Sequence, residues 1–288
     1  MKFTNNKEFP DAVYNMVVDI SNEYTKGDAN ISTTQLIDEP LQRILKREYA
    51  DKLVEDISDS PHRLHGSVLH KYLSQARDES NCIREKRLYV TINDWVLSGS
   101  PDYFIDGGTL IDYKYTTKYK TKSGFPDDWN RQMNIYKYIL EKNGHSVDKL
   151  QVCVFYRDAN ARDAAMELLD CPIDDEIEAY IKARMAYHQM SDPEFNPLID
   201  VKSVNRCSTK ARWQTLTRWA IKKRGRKSAV QVFDTKEEAE TFLPDVKNHS
   251  IEERKGESRR CCEKYCTVYN YCQYMKGDEN GKADNPDE

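Results

Sequence analysis

The sequence predicts an α/β fold. Its core is an αβββαβ run in which a mixed sheet is flanked by helices, with N-terminal helices before it and a cysteine-rich C-terminal extension after it. Three observations carry this expectation. The apolar period changes from helical to alternating near residue 87. Asp106, Gly107 and Gly108 form a hairpin signal between two extended runs. An amphipathic helical stretch over 127–143 separates the third strand from an apolar fourth.

Taken in order, residues 9–22 place Val13, Met16, Val17 and Ile20 on one helical face. Ser32, Thr33, Thr34 and Gln35 read as a capping box opening an amphipathic helix to about Val54, which Pro40 kinks or divides. After a break at 58–61, residues 62–77 are helical, with Val68, Leu69, Tyr72 and Leu73 on one face. Residues 87–92 alternate as a strand, 95–100 form a second that 103–105 continues, and 109–116 form the third. The helix over 127–143 carries Trp129, Met133, Tyr136 and Leu140 and ends at Gly144. A buried strand at 150–156 and a helix over 174–190 follow. Beyond Pro193, a short strand at 230–233 and a helix at 235–242 are expected. The organisation is thus an N-terminal helical segment (1–60), the core (61–192), a basic and cysteine-rich element packed on it (193–275) and a disordered acidic tail (276–288).

Composition narrows the function classes. Of 288 residues, 39% are hydrophobic and 32% charged, enough for a core in a polar chain. No run of about 18 apolar residues exists, so no membrane span is expected. The N-terminus lacks a secretory apolar core, which makes the cytoplasm the expected location. In that compartment the eight cysteines read as thiols or metal ligands rather than disulfides. The net charge of −4 excludes a generally basic nucleic-acid binder, but residues 202–227 hold ten Lys/Arg and no acid.

The chemistry concentrates in residues 96–114, VLSGSPDYFIDGGTLIDYK. Asp102 and Asp112 offer hard oxygen ligands to Mg²⁺ or Mn²⁺ beside a phosphate. Lys114 lies two residues after Asp112, so on a strand both side chains share a face, and the ammonium can orient water or stabilise charge. Acid-x-Lys alone is weak, since chance supplies roughly one or two matches in such a chain. Asp234/Lys236 and Glu253/Lys255 also match; only Asp112/Lys114 follows an apolar strand start, a glycine turn and an earlier aspartate. The plain alternative is a surface strand with a cross-face ion pair.

With Pro101-Asp102 and Asp112-Tyr113-Lys114, the block resembles the PD-(D/E)xK nuclease superfamily, in its RecB-like branch. The resemblance implies a restriction-endonuclease-like core. It matches the branch's Gln-xxx-Tyr motif to Gln132 and Tyr136, which share a helix face and would border the metal site and DNA. Gly66 and His70 match its Gly-xxx-His motif, implying His70 as a metal ligand, and the carbonyl of Tyr113 is a further ligand in the family. Ser74 replaces an acid often found one turn later. The helical pattern sets His70 away from the apolar face, with His65 nearer to it.

Cys262, Cys266 and Cys272 form a cluster that suits Zn²⁺ or an iron–sulfur cluster. The tail resembles RecB-like nucleases with a 4Fe-4S cluster, including those of CRISPR adaptation, in which three C-terminal cysteines join one far upstream. Here the helix around 36–45 has no cysteine, and Cys207 is the better local fourth ligand. Cys261 cannot easily share a site with Cys262 but could replace it. The basic run carries Trp213 and Trp219; its cations suit phosphates and its tryptophans can stack on unpaired bases.

The expected function is a Mg²⁺- or Mn²⁺-dependent deoxyribonuclease. An exonuclease of DNA processing, recombination or phage replication is favoured, as the small size and cysteine-rich tail resemble phage-encoded enzymes. An endonuclease of the same fold and a non-catalytic, zinc-stabilised DNA-binding accessory protein are the alternatives. No P-loop is present, so a helicase, recombinase or single-strand-binding partner would be another chain.

Overall fold

The capping box read at Ser32 forms. Gln35 N–H donates to Ser32 Oγ (3.3 Å), and Ser32 N–H donates to Gln35 Oε1 (3.1 Å). The helix it opens is short, because Pro40 starts a new helix instead of continuing the old one. This computed structural model describes residues 2–23, 25–59, 61–77, 81–105, 107–160, 162, 164–243, 247–263 and 265–275. Asp106 of the hairpin signal and the expected acidic tail lie outside them.

The chain divides into two units, residues 1–40 with 51–199 and residues 41–50 with 200–288. In order, the elements are β1 (Lys2–Thr4), α1 (Asp11–Glu23), β2 (Ile31–Ser32), α2 (Thr33–Ile37), α3 (Pro40–Glu48), β3 (Val54–Asp56), α4 (Pro61–Gln75), β4 (Cys82–Arg84), β5 (Leu88–Ile92), β6 (Trp95–Gly99), β7 (Tyr103–Ile105), β8 (Thr109–Thr116), α5 (Asp127–Lys142), β9 (Lys149–Tyr156), β10 (Met166–Asp170) and α6 (Ile177–Met190). Then come α7 (Thr209–Arg212), β11 (Arg218–Lys223), β12 (Gln231–Phe233), α8 (Lys236–Phe242), β13 (His249–Arg254) and α9 (Arg259–Cys262).

In the first unit the main sheet has the order β10-β9-β8-β7-β4, with β8 and β9 parallel and the other pairs antiparallel. Parallel pairing needs a crossover, and α5 supplies it. Leu150, Val152 and Val154 of β9 are fully buried, as the continuous apolar run requires. α5 buries Trp129, Met133, Tyr136 and Leu140 along with Ile135 and Ile139. Its end is made by Gly144, whose φ of 88° lets the chain turn out of the helix.

One strand expectation is corrected. Residues 95–100 and 103–105 do not form one strand. β6 belongs to a separate sheet, β2-β6-β5, while β7 pairs with β8 and β4. Pro101 lacks a ladder donor, and the chain changes sheets there. β5 and β6 meet through Asn93 and Asp94, both at positive φ (49° and 63°), the signature of a two-residue hairpin turn. The mixed α/β architecture with helices on the sheet is otherwise as expected. β3, β4, β10, β11 and β13 lay outside the sequence reading. They are short edge strands or, for β11 and β13, strands dense in charge.

The second unit is built on the antiparallel sheet β12-β11-β13, with Ala220 and Ile221 of β11 and Ala239 of α8 fully buried. Among the described residues, no helix is long and apolar enough to cross a membrane.

Candidate active site

The site in the first unit begins with the break between β6 and β7. There Asp102 is buried and turns its Oδ2 to the backbone N–H of Tyr113, 2.7 Å away in β8. The β7–β8 register pairs Tyr103 with Ile111, so one further step along it sets Asp102 opposite Asp112. The other carboxylate oxygen, Oδ1, lies 3.4 Å from His70 Nδ1 on α4. His70 also lies 3.6 Å from Glu85 Oε1. Burial disfavours protonation of His70, but the nearby Asp102 and Glu85 carboxylates and the charge of Asp112 outweigh it, raising its pKa to about 10.

His70 therefore joins the site, although the apolar pattern turns it from the core face of its helix. α4 packs against the Tyr113/Tyr115 face of β8, with His70 edge-on to Tyr113 (6.1 Å) and His65 edge-on to Tyr115 (5.9 Å). Glu85 was missed. It follows a three-residue strand, sits at a φ of 47° and donates its N–H to Pro101 O (3.0 Å), which sets it beside Asp102. That bond joins segments distant in sequence, and no local pattern marks it.

On the other face of β8, Asp112 is almost wholly buried beneath Lys114, whose Nζ is 2.6 Å from Asp112 Oδ2. The contact is ionic but off the hydrogen-bonding direction, so this buried oxygen retains an unsatisfied lone pair. Lys114 Nζ donates to Gln132 Oε1 (2.9 Å), and Gln132 Nε2 donates to Tyr136 OH (3.0 Å). Sharing one face of α5 thus puts Gln132 and Tyr136 in a chain that ends on the lysine. Burial raises the pKa of Asp112; the charge of Lys114 opposes this and that of Asp102 adds to it. Burial works against a charged Lys114, yet the negative charges of Asp112 and Asp102 raise its pKa and keep it protonated. Burial also pushes the Tyr113 hydroxyl up to about 12.

A cavity of about 690 Å³ is lined by His70, Glu85, Asp102, Tyr113, Lys114, Gln132 and Tyr136, while Asp112 lies buried behind Lys114. Arg63, Lys71 and Arg87 also line it. His70, Glu85 and Asp102 bring three ligand atoms within 4.8 Å of one another, and no other such set occurs among the described residues. Three carboxylates with one unsatisfied buried oxygen suit a hard divalent cation. The pairing differs in detail from the expected Asp102–Asp112 couple: the close ligand set is built around Asp102, and Asp112 is held by Lys114.

In the second unit the cysteines converge on an apolar hollow of about 20 Å³, lined by Leu41, Leu45, Cys207, Cys261, Cys266 and Cys272. The expected set was Cys207, Cys262, Cys266 and Cys272. Cys262 is exposed, and Cys261 takes its place. On α9 adjacent side chains point about 100° apart, so only one of the pair can face inward. Cys261 hydrogen-bonds Cys266, which holds the Cys266 thiol down to about 6 against burial; the Val268 backbone and the charges of Arg260 and Lys46 assist. Gln42 Nε2 lies 3.9 Å from Cys207 Sγ. Four thiols facing one hollow fit a soft metal centre.

The basic stretch is less free than its composition suggests. Arg212 donates to Cys207 O, Gln214 Oε1 and Ser258 Oγ, each at 2.8 Å. Arg218 pairs with Asp234, and Lys222 donates to Lys227 O (2.6 Å). Lys223, Arg224 and Lys227 are exposed. The two tryptophans differ: Trp219 is half-buried in β11, whereas Trp213 is 50% exposed.

No family model matches the chain, and no curated protein matches it. Similar solved structures include a protein designated SSO0001 (19% identity, TM-score 0.45, covering 62% of this chain and 83% of that one). They also include an alkaline exonuclease from Laribacter hongkongensis (14%, 0.40, 58% and 90%). A third is a phage-related exonuclease from Haemophilus somnus (14%, 0.29, 65% and 81%). All these TM-scores are below 0.5, so the functional reading rests on the site itself.

Proposed function

We propose that this chain is a divalent-metal-dependent deoxyribonuclease whose centre comprises His70, Glu85, Asp102, Asp112, Lys114, Gln132 and Tyr136. The observation that carries the reading is that Lys114, Gln132 and Tyr136, with Asp112 buried behind the lysine, share one cavity with the His70–Glu85–Asp102 set. A Mg²⁺ or Mn²⁺ ion held by Asp102 and Asp112 with Glu85 or His70, and with the Tyr113 carbonyl, would neutralise the scissile phosphate and lower the pKa of a bound water. Lys114 presents a fixed positive charge to the attacking water or the phosphate. Gln132 sets the direction of that ammonium, and Tyr136 holds Gln132. Arg63, Lys71 and Arg87 supply charge to flanking phosphates.

The cysteine centre is read as Cys207, Cys261, Cys266 and Cys272. Tetrahedral zinc, with Zn–S near 2.3 Å, holds its sulfurs about 3.8 Å apart. Four thiolates suit tetrahedral zinc and an iron–sulfur cluster alike. Iron, acid-labile sulfide and zinc analyses of anaerobically purified protein distinguish the two.

The activity is tested on linear and closed circular DNA with Mg²⁺ or Mn²⁺. Wild type degrades linear DNA, EDTA abolishes the reaction, and Lys114→Ala slows it roughly 100-fold or more. Cutting of the closed circle identifies an endonuclease. Equal inertness of both proteins with every metal and substrate sinks the enzyme reading in favour of a non-catalytic DNA-binding accessory protein.

A further inference from the structure

The second unit displays two large aromatic rings side by side at its surface. Trp213 is 50% exposed and Tyr265 61% exposed; their centroids are 5.3 Å apart and their planes inclined by 50°. Such rings are normally at least partly covered, because each carries a large apolar area. The guanidinium of Arg260 sits 5.8 Å from the Trp213 centroid and is pinned by a hydrogen bond to Ala211 O (3.2 Å).

Trp213 is braced by its backbone. Trp213 caps α7 in the left-handed region (φ 54°, ψ 46°), where its N–H reaches Lys210 O and Thr209 O. Glycine is the usual residue at such a cap, and a bulky side chain there is an outlier. Ser208 caps the other end of α7 through Ala211 N–H (3.2 Å), and Arg212 fastens the helix to Gln214 and Ser258. Tyr265 directly precedes Cys266, which lies in the cysteine hollow. The backbone conformation thus aims an indole at solvent from a braced support.

We infer that Trp213 and Tyr265 form a base-stacking platform for single-stranded DNA, an inference that rests on the proposed action on DNA. An exposed ring offers its face to any nucleobase, and the cations around it suit the backbone between bases. Lys210 and Arg260 flank the rings in sequence, Arg259 is paired with Glu263 (2.7 Å), and Lys223, Arg224 and Lys227 lie exposed in the same basic unit. Trp219, the other tryptophan of the run, is half-buried in its sheet and does not contribute. A protein-binding patch would also use aromatic rings; the acid-free run of cations favours a polyanion.

The test uses the full chain in EDTA, so no turnover is needed. Binding of a fluorescent 20-mer of thymidylate is compared with that of a 20-mer of abasic residues carrying the same phosphates. Wild type prefers the thymidylate strand by roughly 5–100-fold, the range of one or two stacked bases. Trp213→Gly brings this ratio close to one while leaving abasic binding unchanged, and Trp213→Phe keeps most of the preference. Glycine suits the left-handed cap, so loss of the ring is separated from loss of the fold; an unchanged circular dichroism spectrum verifies this. An unchanged ratio in Trp213→Gly, or no wild-type preference for bases, overturns the platform. The nuclease reading fails separately: an inert protein with a Trp213-dependent ratio loses the enzyme and keeps the platform, and an active enzyme with an unaltered ratio does the reverse.

Discussion

Gly99 ends β6 directly against α5, and adding one methyl group there tests how Tyr136 supports Lys114. A Cβ at residue 99 would lie 2.8 Å from Ile139 Cδ1 and 2.9 and 3.0 Å from Tyr136 Cδ1 and Cε1, where ordinary contact begins at 3.4 Å. Ile139 and Tyr136 are themselves buried in the core. Gly99→Ala therefore forces the ring or the strand to retreat by roughly half an ångström against close-packed neighbours. Overpacking of this kind costs about 1–3 kcal/mol. For a unit of this size that lowers Tm by roughly 2–10 °C. The displacement reaches the site through Tyr136 OH, Gln132 and Lys114 Nζ, which are linked by bonds of 3.0 and 2.9 Å. A shift of half an ångström at the lysine slows phosphodiester cleavage about tenfold at saturating metal. Thermal denaturation in EDTA reads the first effect and single-turnover cleavage the second. Ile139→Val relieves the Cδ1 contact, so the double variant recovers part of the lost Tm. If Gly99→Ala keeps both wild-type Tm and wild-type rate, the packing argument and the proposed role of Tyr136 fail together.

The remaining expectations concern the cavity floor, the cysteines and the histidine. At Gly66 a Cβ meets nothing within 4 Å, and the residue borders the cavity. Gly66→Ala should stabilise α4 by about 0.5–1 kcal/mol, as for any helical glycine. It should also raise KM for DNA, with wild-type KM arguing that substrate does not approach this helix. Cys261→Ser should abolish bound iron or zinc by elemental analysis while Cys262→Ser retains it, and the reverse pattern would refute the assignment. His70 has a folded pKa raised to about 10, so the folded state holds its proton more tightly than the unfolded one. The stability it confers is full below about pH 6.5 and is lost as pH rises through about 10. The Tm gap between wild type and His70→Gln in EDTA should therefore close between those limits, and a gap constant across them contradicts the ion pairing.

Much of this was legible in the chain. The Asp112/Lys114 pair is a local property of an alternating strand, and Gln132/Tyr136 a local property of a helix, so period alone sets each pair on one face. The strand β8 and the helix α5 were readable for the same reason. The gathering of His70, Glu85 and Asp102 was not, since it depends on the change of sheet at Pro101 and a backbone bond from Glu85 to Pro101. The choice of Cys261 over Cys262 was equally hidden, because either residue satisfies the spacing and only the packing of a one-turn helix selects between them.

The opening expectation of an αβββαβ core thus came from periodicity, turn residues and proline, each acting over a few positions. Tertiary structure decided which strand joins which sheet, which carboxylates meet, and which tryptophan reaches solvent. The physical reason is range: backbone sterics and apolar period act between near neighbours. The gathering of carboxylates and the exposure of side chains instead arise from contacts between segments that only the folded chain brings together.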